Sequence, residues 1–186
     1  MTKKLSLIKL FSVTSLFVFI SCATMPGMPG FISESSSDFD GTKQLSMEPA
    51  WLPYSPIKLA LFKNTKMDKN EVVLSVIVKE AHIFGRDESL HINIDGDIVS
   101  FMSIDPLTDR KVSSGHYGNG FYIPPFNWSS KDYLITKNLI KRLIEADRAV
   151  VKVDLRKSYA EGIFSHDAPT LARPAFREFY KKMDNL

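Results

Sequence analysis

The chain has one cysteine among its 186 residues, which excludes an internal disulfide framework and any zinc site built from several cysteines. The part of the chain after residue 21 also has no excess of positive or negative charge. Lys3, Lys4 and Lys9 are the charged residues of the first 21 positions, and the other 21 basic residues balance the 21 acidic ones. Because the chain after residue 21 has no net charge, it offers no electrostatic attraction for nucleic acid, and we expect no nucleic-acid partner.

Motifs that bind cofactors or metals are also missing. The sequence has no phosphate-binding P-loop, no Gly-x-Gly-x-x-Gly, no Gly-x-Ser-x-Gly elbow and no Cys-x-x-Cys. Its histidines form no i, i+4 pair of the kind that holds zinc on a helix; they are His82, His91, His116 and His166. Asp95-Gly96-Asp97 lacks the later acidic ligands of a calcium loop, and a hairpin explains it fully. We therefore expect no cofactor and no metal.

Ser165-His166-Asp167 contains the residue types of a catalytic triad. Triad members come from separate elements and meet in space, whereas these three are adjacent in the chain. We therefore interpret the segment as a loop before a helix and predict no catalytic residues. The alternative is a hydrolase assembled from scattered Ser, His and Asp side chains, which would need a serine to converge with His166 and Asp167 in one cleft.

The N-terminus has the three-part build of a secretory signal peptide. Met1–Lys9 is basic, and Leu10–Ile20 is an 11-residue apolar stretch without charge. A helix needs about 20 apolar residues to cross a bilayer, so this stretch is too short for a permanent span. We predict that residues 1–21 are a signal.

The end of this signal, Phe19-Ile20-Ser21-Cys22, resembles the lipobox of bacterial lipoproteins. The resemblance implies cleavage between Ser21 and Cys22 and attachment of a diacylglycerol to the Cys22 thiol, whose thiolate is the nucleophile. The family most often has Leu at the position of Phe19. The alternative is an ordinary signal, cut near Ser21-Cys22-Ala23, that leaves a free thiol.

This resemblance also implies a location. Acyl chains on Cys22 would hold the protein at a membrane stably. Because Ala23 rather than Asp follows the cysteine, the family pattern favours the outer membrane, facing the periplasm, in a Gram-negative host. We predict a flexible tether over residues 22–49 and one globular domain over residues 50–186; the alternative for Phe31, Ile32 and Phe39 is that they dock on the domain or the membrane.

The domain's hydrophobic patterns predict an α+β fold with a mainly antiparallel sheet and one or two amphipathic helices packed on one face. Thr136–Ala146 and Ala172–Met183 have helical periodicity, and Thr136 is a plausible N-cap. The predicted strands are Ile57–Phe62, Glu71–Phe84, Leu90–Ile94, Asp97–Ile104, Ala149–Arg156 and Ala160–Ser165, with hairpins at Asp95-Gly96 and between the last two.

Residues 113–128 are dense in glycine and aromatic residues, and we interpret them as a loop. Exposed rings in such a loop bind peptides, sugars or apolar surfaces. The candidate binding residues are Tyr117, Phe121, Tyr122 and Trp128. The alternative is that these rings fold back and plug one end of the sheet.

Together these observations predict a lipid-anchored cell-envelope protein whose domain binds a partner or has a structural role without catalysis. The expected partners are the membrane, through the anchor, and an envelope protein or glycan.

Overall fold

The computed structural model describes residues 26–114, 116–118, 121–123, 126–168 and 171–186. The signal over residues 1–21, its junction at Ser21 and Cys22, and Ala23 lie outside the described residues. Of Tyr117, Phe121 and Tyr122 the backbone is described but the side chains are not.

The described part of the chain forms twelve strands and two helices. In chain order they are β1 (Ile32–Ser36), β2 (Lys43–Trp51), β3 (Ile57–Asn64), β4 (Glu71–Lys79), β5 (Glu88–Ile94), β6 (Asp97–Met102), β7 (Asp109–Ser113), β8 (His116–Gly118), β9 (Phe121–Ile123), β10 (Phe126–Thr136), α1 (Lys137–Glu145), β11 (Ala149–Leu155), β12 (Ser158–Ile163) and α2 (Ala172–Met183).

The strands form a larger sheet in the order β1-β2-β3-β4-β10-β7, a smaller sheet in the order β12-β11-β5-β6, and a two-stranded ribbon of β8 and β9. All paired strands in these sheets are antiparallel. The larger sheet is curled as a half-barrel. The predicted α+β fold with a mainly antiparallel sheet and helices on one face is therefore confirmed.

The core lies between the inner faces of the sheets and helix α2, which packs on β2 and β3 and against α1. The inward positions of α2 are those that the periodicity predicts, namely Ala172, Ala175, Phe176, Phe179 and Met183. Phe176 meets Phe164 edge to face, with centroids 4.8 Å apart. Full burial of one such ring stabilises the fold by about 1.5–3 kcal/mol, so this helix is a main anchor of the domain.

Strand β10 lies between β4 and β7 in the larger sheet, and its sequence pattern did not predict a strand. Its inward positions include the polar Ser129 and Lys131, both buried. The Lys131 ammonium donates hydrogen bonds to the Gly85 carbonyl at 3.0 Å and to Ser103 Oγ at 3.1 Å. Burial lowers the pKa of Lys131. These bonds satisfy the buried group, so a polar side chain can occupy a core position.

The prediction of a flexible tether up to residue 49 is wrong from Ile32 onward, because β1 and most of β2 lie in that segment. Ile32 is nearly buried, as the docking alternative expected, whereas Phe39 is 98% exposed. Leu45 and Met47 enter the core from β2. The alternation of these two residues with polar ones is short, and neighbouring glycine and serine obscured it.

Other differences concern strand ends. β4 stops at Lys79, where Glu80 takes a positive φ of 78°, so His82 lies in the loop after the strand rather than on it. Residues 113–128, which we expected as a loop, contain β8, β9 and the start of β10.

The hairpin between β5 and β6 has a two-residue turn, with positive φ at Asp95 and Gly96, as a type I′ turn requires.

Candidate functional site

Trp128 lies near the start of β10, on the face of the larger sheet that points away from the core. We call this the outer face. The neighbouring strands place a lysine directly opposite Trp128 on each side, Lys79 on β4 and Lys111 on β7. Directly opposed residues in antiparallel strands point to the same face, so the ring lies between two lysines.

A bulge in β2 brings the second tryptophan to this face. Before the bulge Leu45 and Met47 point into the core, and after it Ala50 does. One extra residue between Met47 and Ala50 reverses the alternation, so Trp51 points outward. Its ring centroid lies 5.6 Å from that of Trp128, with the planes tilted by 58°.

The ammonium of Lys58 lies between the two indoles. Lys58 is directly opposite Trp51 in the β2–β3 pair. Its Nζ atom is 4.2 Å from the Trp51 centroid and 4.4 Å from the Trp128 centroid. Each is a cation–π contact, and burial lowers the pKa of Lys58. We call Trp51, Lys58 and Trp128 the tryptophan–lysine cluster.

The lysines of this face lack carboxylate partners within the described residues. Lys58, Lys79 and Lys111 make no ion pair there, although eight other Lys and Arg side chains do. A partly desolvated ammonium that contacts only aromatic faces can bind an anion more strongly than a fully hydrated one. The cluster is therefore suited to a ligand that carries negative charge.

A small cavity of about 160 Å³ opens beside the cluster. Its lining combines apolar surface with hydrogen-bond donors and consists of Pro49, Lys58, Ile77, Lys111, Trp128 and Ser130. Drug-sized ligands occupy pockets of about 300–1,000 Å³, so this cavity suits one ring or one side chain. Phe126 extends the aromatic surface, with its centroid 6.4 Å from that of Trp128.

Of the four aromatic residues predicted to form a binding loop, the structure places Trp128 in this cluster. Tyr117 and Tyr122 are paired across the β8–β9 ribbon, and Phe121 is opposite Gly118. The side chains of Tyr117, Phe121 and Tyr122 lie outside the described ones. Trp51 and Lys58 were not predicted as site residues, although Pro49 in a strand is a known signal for a bulge.

A second polar cluster lies on the outer face of the smaller sheet. Nδ1 of His91 is 2.8 Å from Ser100 Oγ, and its Nε2 is 3.0 Å from Asp154 Oδ2. Burial raises the pKa of Asp154, but hydrogen bonds from Lys152 and His91 outweigh this and lower it overall. A groove of about 430 Å³ beside this cluster is lined by His91 and Lys152 but by neither Ser100 nor Asp154.

The adjacent Ser165, His166 and Asp167 do not form a triad. The Ser165 hydroxyl accepts a hydrogen bond from the Ala149 backbone. Asp167 pairs with Arg177 at 3.4 Å. Their side chains thus hold the loop that precedes α2, in line with the loop interpretation.

In the described part of the chain, no three His, Cys, Asp or Glu side chains gather closely enough to hold a metal ion. Neither described helix is long and apolar enough to cross a membrane.

In comparisons with known proteins, no protein-family model, no curated protein and no solved structure matches this chain.

Proposed function

We propose that this chain is a lipid-anchored protein of the bacterial cell envelope whose domain binds a partner at the tryptophan–lysine cluster. The anchor rests on the lipobox-like segment that ends at Cys22. Binding rests on one observation, the Lys58 ammonium held between Trp51 and Trp128 with no carboxylate partner among the residues that the structure describes.

The cluster has the properties of a recognition surface. Indole rings supply large rigid contact area at little conformational-entropy cost, and they are enriched where binding energy concentrates. The lysines around them attract an anionic partner and orient it. The curved sheet beneath holds the side chains at fixed spacing, so little ordering is needed when a ligand arrives.

One footprinting experiment tests both parts of the proposal. The whole protein is exposed to hydroxyl radicals in isolated envelopes and again after purification in detergent, and mass spectrometry then measures oxidation and the mass of the mature N-terminus. We expect Trp51 and Trp128 to be protected in envelopes, and Cys22 to carry acyl chains. Tyr159, an exposed aromatic on the smaller sheet, is the internal control and should be oxidised equally in both samples.

Equal oxidation of Trp128 in the two samples would contradict the binding role. A bare Cys22 thiol at the mature N-terminus would contradict the anchor. The two parts can thus fail separately.

Hydrolysis at Ser100 is the second candidate, because the Ser100–His91–Asp154 chain of hydrogen bonds has the composition of a catalytic triad. Two observations disfavour it: Asp154 also pairs with Lys152 at 3.0 Å, and Ser100 does not line the neighbouring groove. Covalent labelling of the whole protein with a fluorophosphonate tests it. Label on Ser100 that is lost in His91→Ala would favour hydrolysis, and no label at all would eliminate it.

A further inference from the structure

The register of the larger sheet aligns one row of side chains across the outer face. In strand order from β2 to β7 the row consists of Trp51, Lys58, Ile77, Ser130 and Asp109. The cavity lies along the middle of this row, with Trp128 and Lys111 beside it. A ligand here thus meets a ring face, an aliphatic side chain, a hydroxyl and two ammonium groups within one small volume.

The described residues that line the cavity include two lysines, Lys58 and Lys111, and no carboxylate. Asp109 is the carboxylate that the row itself contains, and it is exposed opposite Ser130. Asp132 also points outward, but it accepts a hydrogen bond from Ser75 at 2.6 Å, further along the sheet. Within the described part of the chain, Lys58, Lys79 and Lys111 pair with no carboxylate, so they are available to an anionic ligand.

Three kinds of anionic partner could use such a surface, and the lining favours one of them. A flexible acidic peptide needs the lysines but not a recessed indole beside a one-ring cavity. A membrane surface needs protruding apolar side chains, whereas Trp51 and Trp128 are half-buried. A sugar ring presents C–H groups, which carry partial positive charge, to the negative face of an indole, and hydroxyls at its rim to donors and acceptors.

We infer that the cavity beside Trp128 binds an acidic sugar, one pyranose ring with a carboxylate. The ring lies against Trp128 and Ile77, the carboxylate pairs with Lys58 and Lys111, and a ring hydroxyl bonds to Ser130. This inference rests on the proposed binding function and names its ligand class.

The chain itself supplies the reporter for the test, because its two tryptophans are both in the cluster. The emission of the whole purified protein is followed while oligogalacturonate is added. We expect a saturable change that weakens as salt rises, because salt screens exposed charges. Neutral malto-oligosaccharide of the same length and sodium acetate should produce none at the same concentrations.

Variants assign the effect to individual side chains. Lys58→Met and Lys111→Met should each weaken binding about tenfold, the usual effect of losing a hydrogen bond to a charged group. Asp109→Asn should strengthen binding, since it removes the opposing carboxylate. Lys152→Met is the matched control, a lysine 5.3 Å from the Tyr159 ring on the smaller sheet that has its own carboxylate partner, and it should have no effect.

The outcomes separate this inference from the function on which it rests. No response to oligogalacturonate, or an equal response in Lys58→Met, would overturn the acidic-sugar assignment. Saturable binding of poly-glutamate or of phosphatidylglycerol vesicles instead of oligogalacturonate would also overturn the acidic-sugar assignment, in favour of a peptide or membrane ligand. In that case, protection of Trp128 in envelopes would still support a binding site.

Discussion

Lys58 Nζ lies 4.4 Å from the centroid of Trp128, although the two residues are 70 positions apart and β4 separates their strands. An aromatic face stabilises an ammonium by about 0.5–2 kcal/mol, less than a well-placed carboxylate in a partly desolvated site. The contact therefore leaves Lys58 able to gain from an incoming anion.

Quenching of tryptophan emission should reveal this charge. Because lysines surround both indoles, iodide should quench the emission of the whole protein more effectively than caesium does at equal ionic strength. Lys58→Met should reduce the iodide effect and leave quenching by neutral acrylamide nearly unchanged. Equal quenching by iodide and caesium in the wild type would show that the lysines do not dominate the field there.

The start of the folded domain can be tested at Gly30. A β-carbon there would lie 2.9 Å from that of Ala175, and Gly30 has a φ of +77°. Gly41 has a φ of +69° but open space around it. Gly41→Ala should cost about 1–2 kcal/mol from its backbone alone, and Gly30→Ala should cost about 1–3 kcal/mol more from overlap.

Denaturant unfolding of both glycine variants measures the difference in their free energies of unfolding. If the two alanines proved equally destabilising, Gly30 would not pack against α2 as described.

Leu143 on α1 and Leu134 on β10 are a matched pair for testing the packing of helix α1. Leu143 is fully buried on α1, whereas Leu134 is 43% exposed on the outer face of β10. Leu143→Asp should unfold the domain, because an unpaired buried carboxylate costs several kcal/mol. Leu134→Asp should retain a cooperative thermal transition. Circular dichroism melting distinguishes them, and an unchanged melting temperature in Leu143→Asp would refute the packing of this helix.

The buried pair of Tyr133 and Ser89 makes stability depend on pH. Their hydroxyls are 2.8 Å apart, and burial raises the pKa of Tyr133 to about 12. An unfolded tyrosine ionises near pH 10. The raised pKa therefore stabilises the fold fully below pH 10, and this contribution is lost as pH rises from about 10 to 12.

Two variants isolate this contribution in urea unfolding as a function of pH. Tyr133→Phe should cost about 1–3 kcal/mol at neutral pH by leaving Ser89 unpaired, and the gap to the wild type should shrink above pH 10. Ser89→Ala keeps the buried phenol and should lose stability above pH 10 as the wild type does. A constant gap between Tyr133→Phe and the wild type up to pH 12 would contradict the raised pKa.

Local patterns in the sequence predicted the regular part of the fold well. Both helices have a clean apolar stripe, and Thr136 caps α1 by accepting a hydrogen bond from the Leu139 backbone at 3.2 Å. Strand β10 escaped prediction because its pattern is inverted at one end: Ser129 and Lys131 point inward and Trp128 points outward. Only tertiary partners, such as the Gly85 carbonyl, make Lys131 acceptable in the core.

Of the candidate site, the sequence predicted Trp128 but not its partners, for a similar reason. The aromatic density around Trp128 is visible in the sequence, but its partners Trp51 and Lys58 come from strands far away along the chain. Their meeting depends on the strand order of the larger sheet and on the bulge that turns Trp51 outward. Neither follows from the period of a single segment.

The most direct test of the account is the pair of indole N–H resonances in a nitrogen-15 spectrum of the whole protein, since Trp51 and Trp128 are the two tryptophans of the chain. On titration with oligogalacturonate, both resonances should shift together with one dissociation constant, and Lys58→Met should weaken that constant about tenfold. Two indole resonances that stay in place at saturating oligogalacturonate would contradict the assignment of this face as an acidic-sugar site.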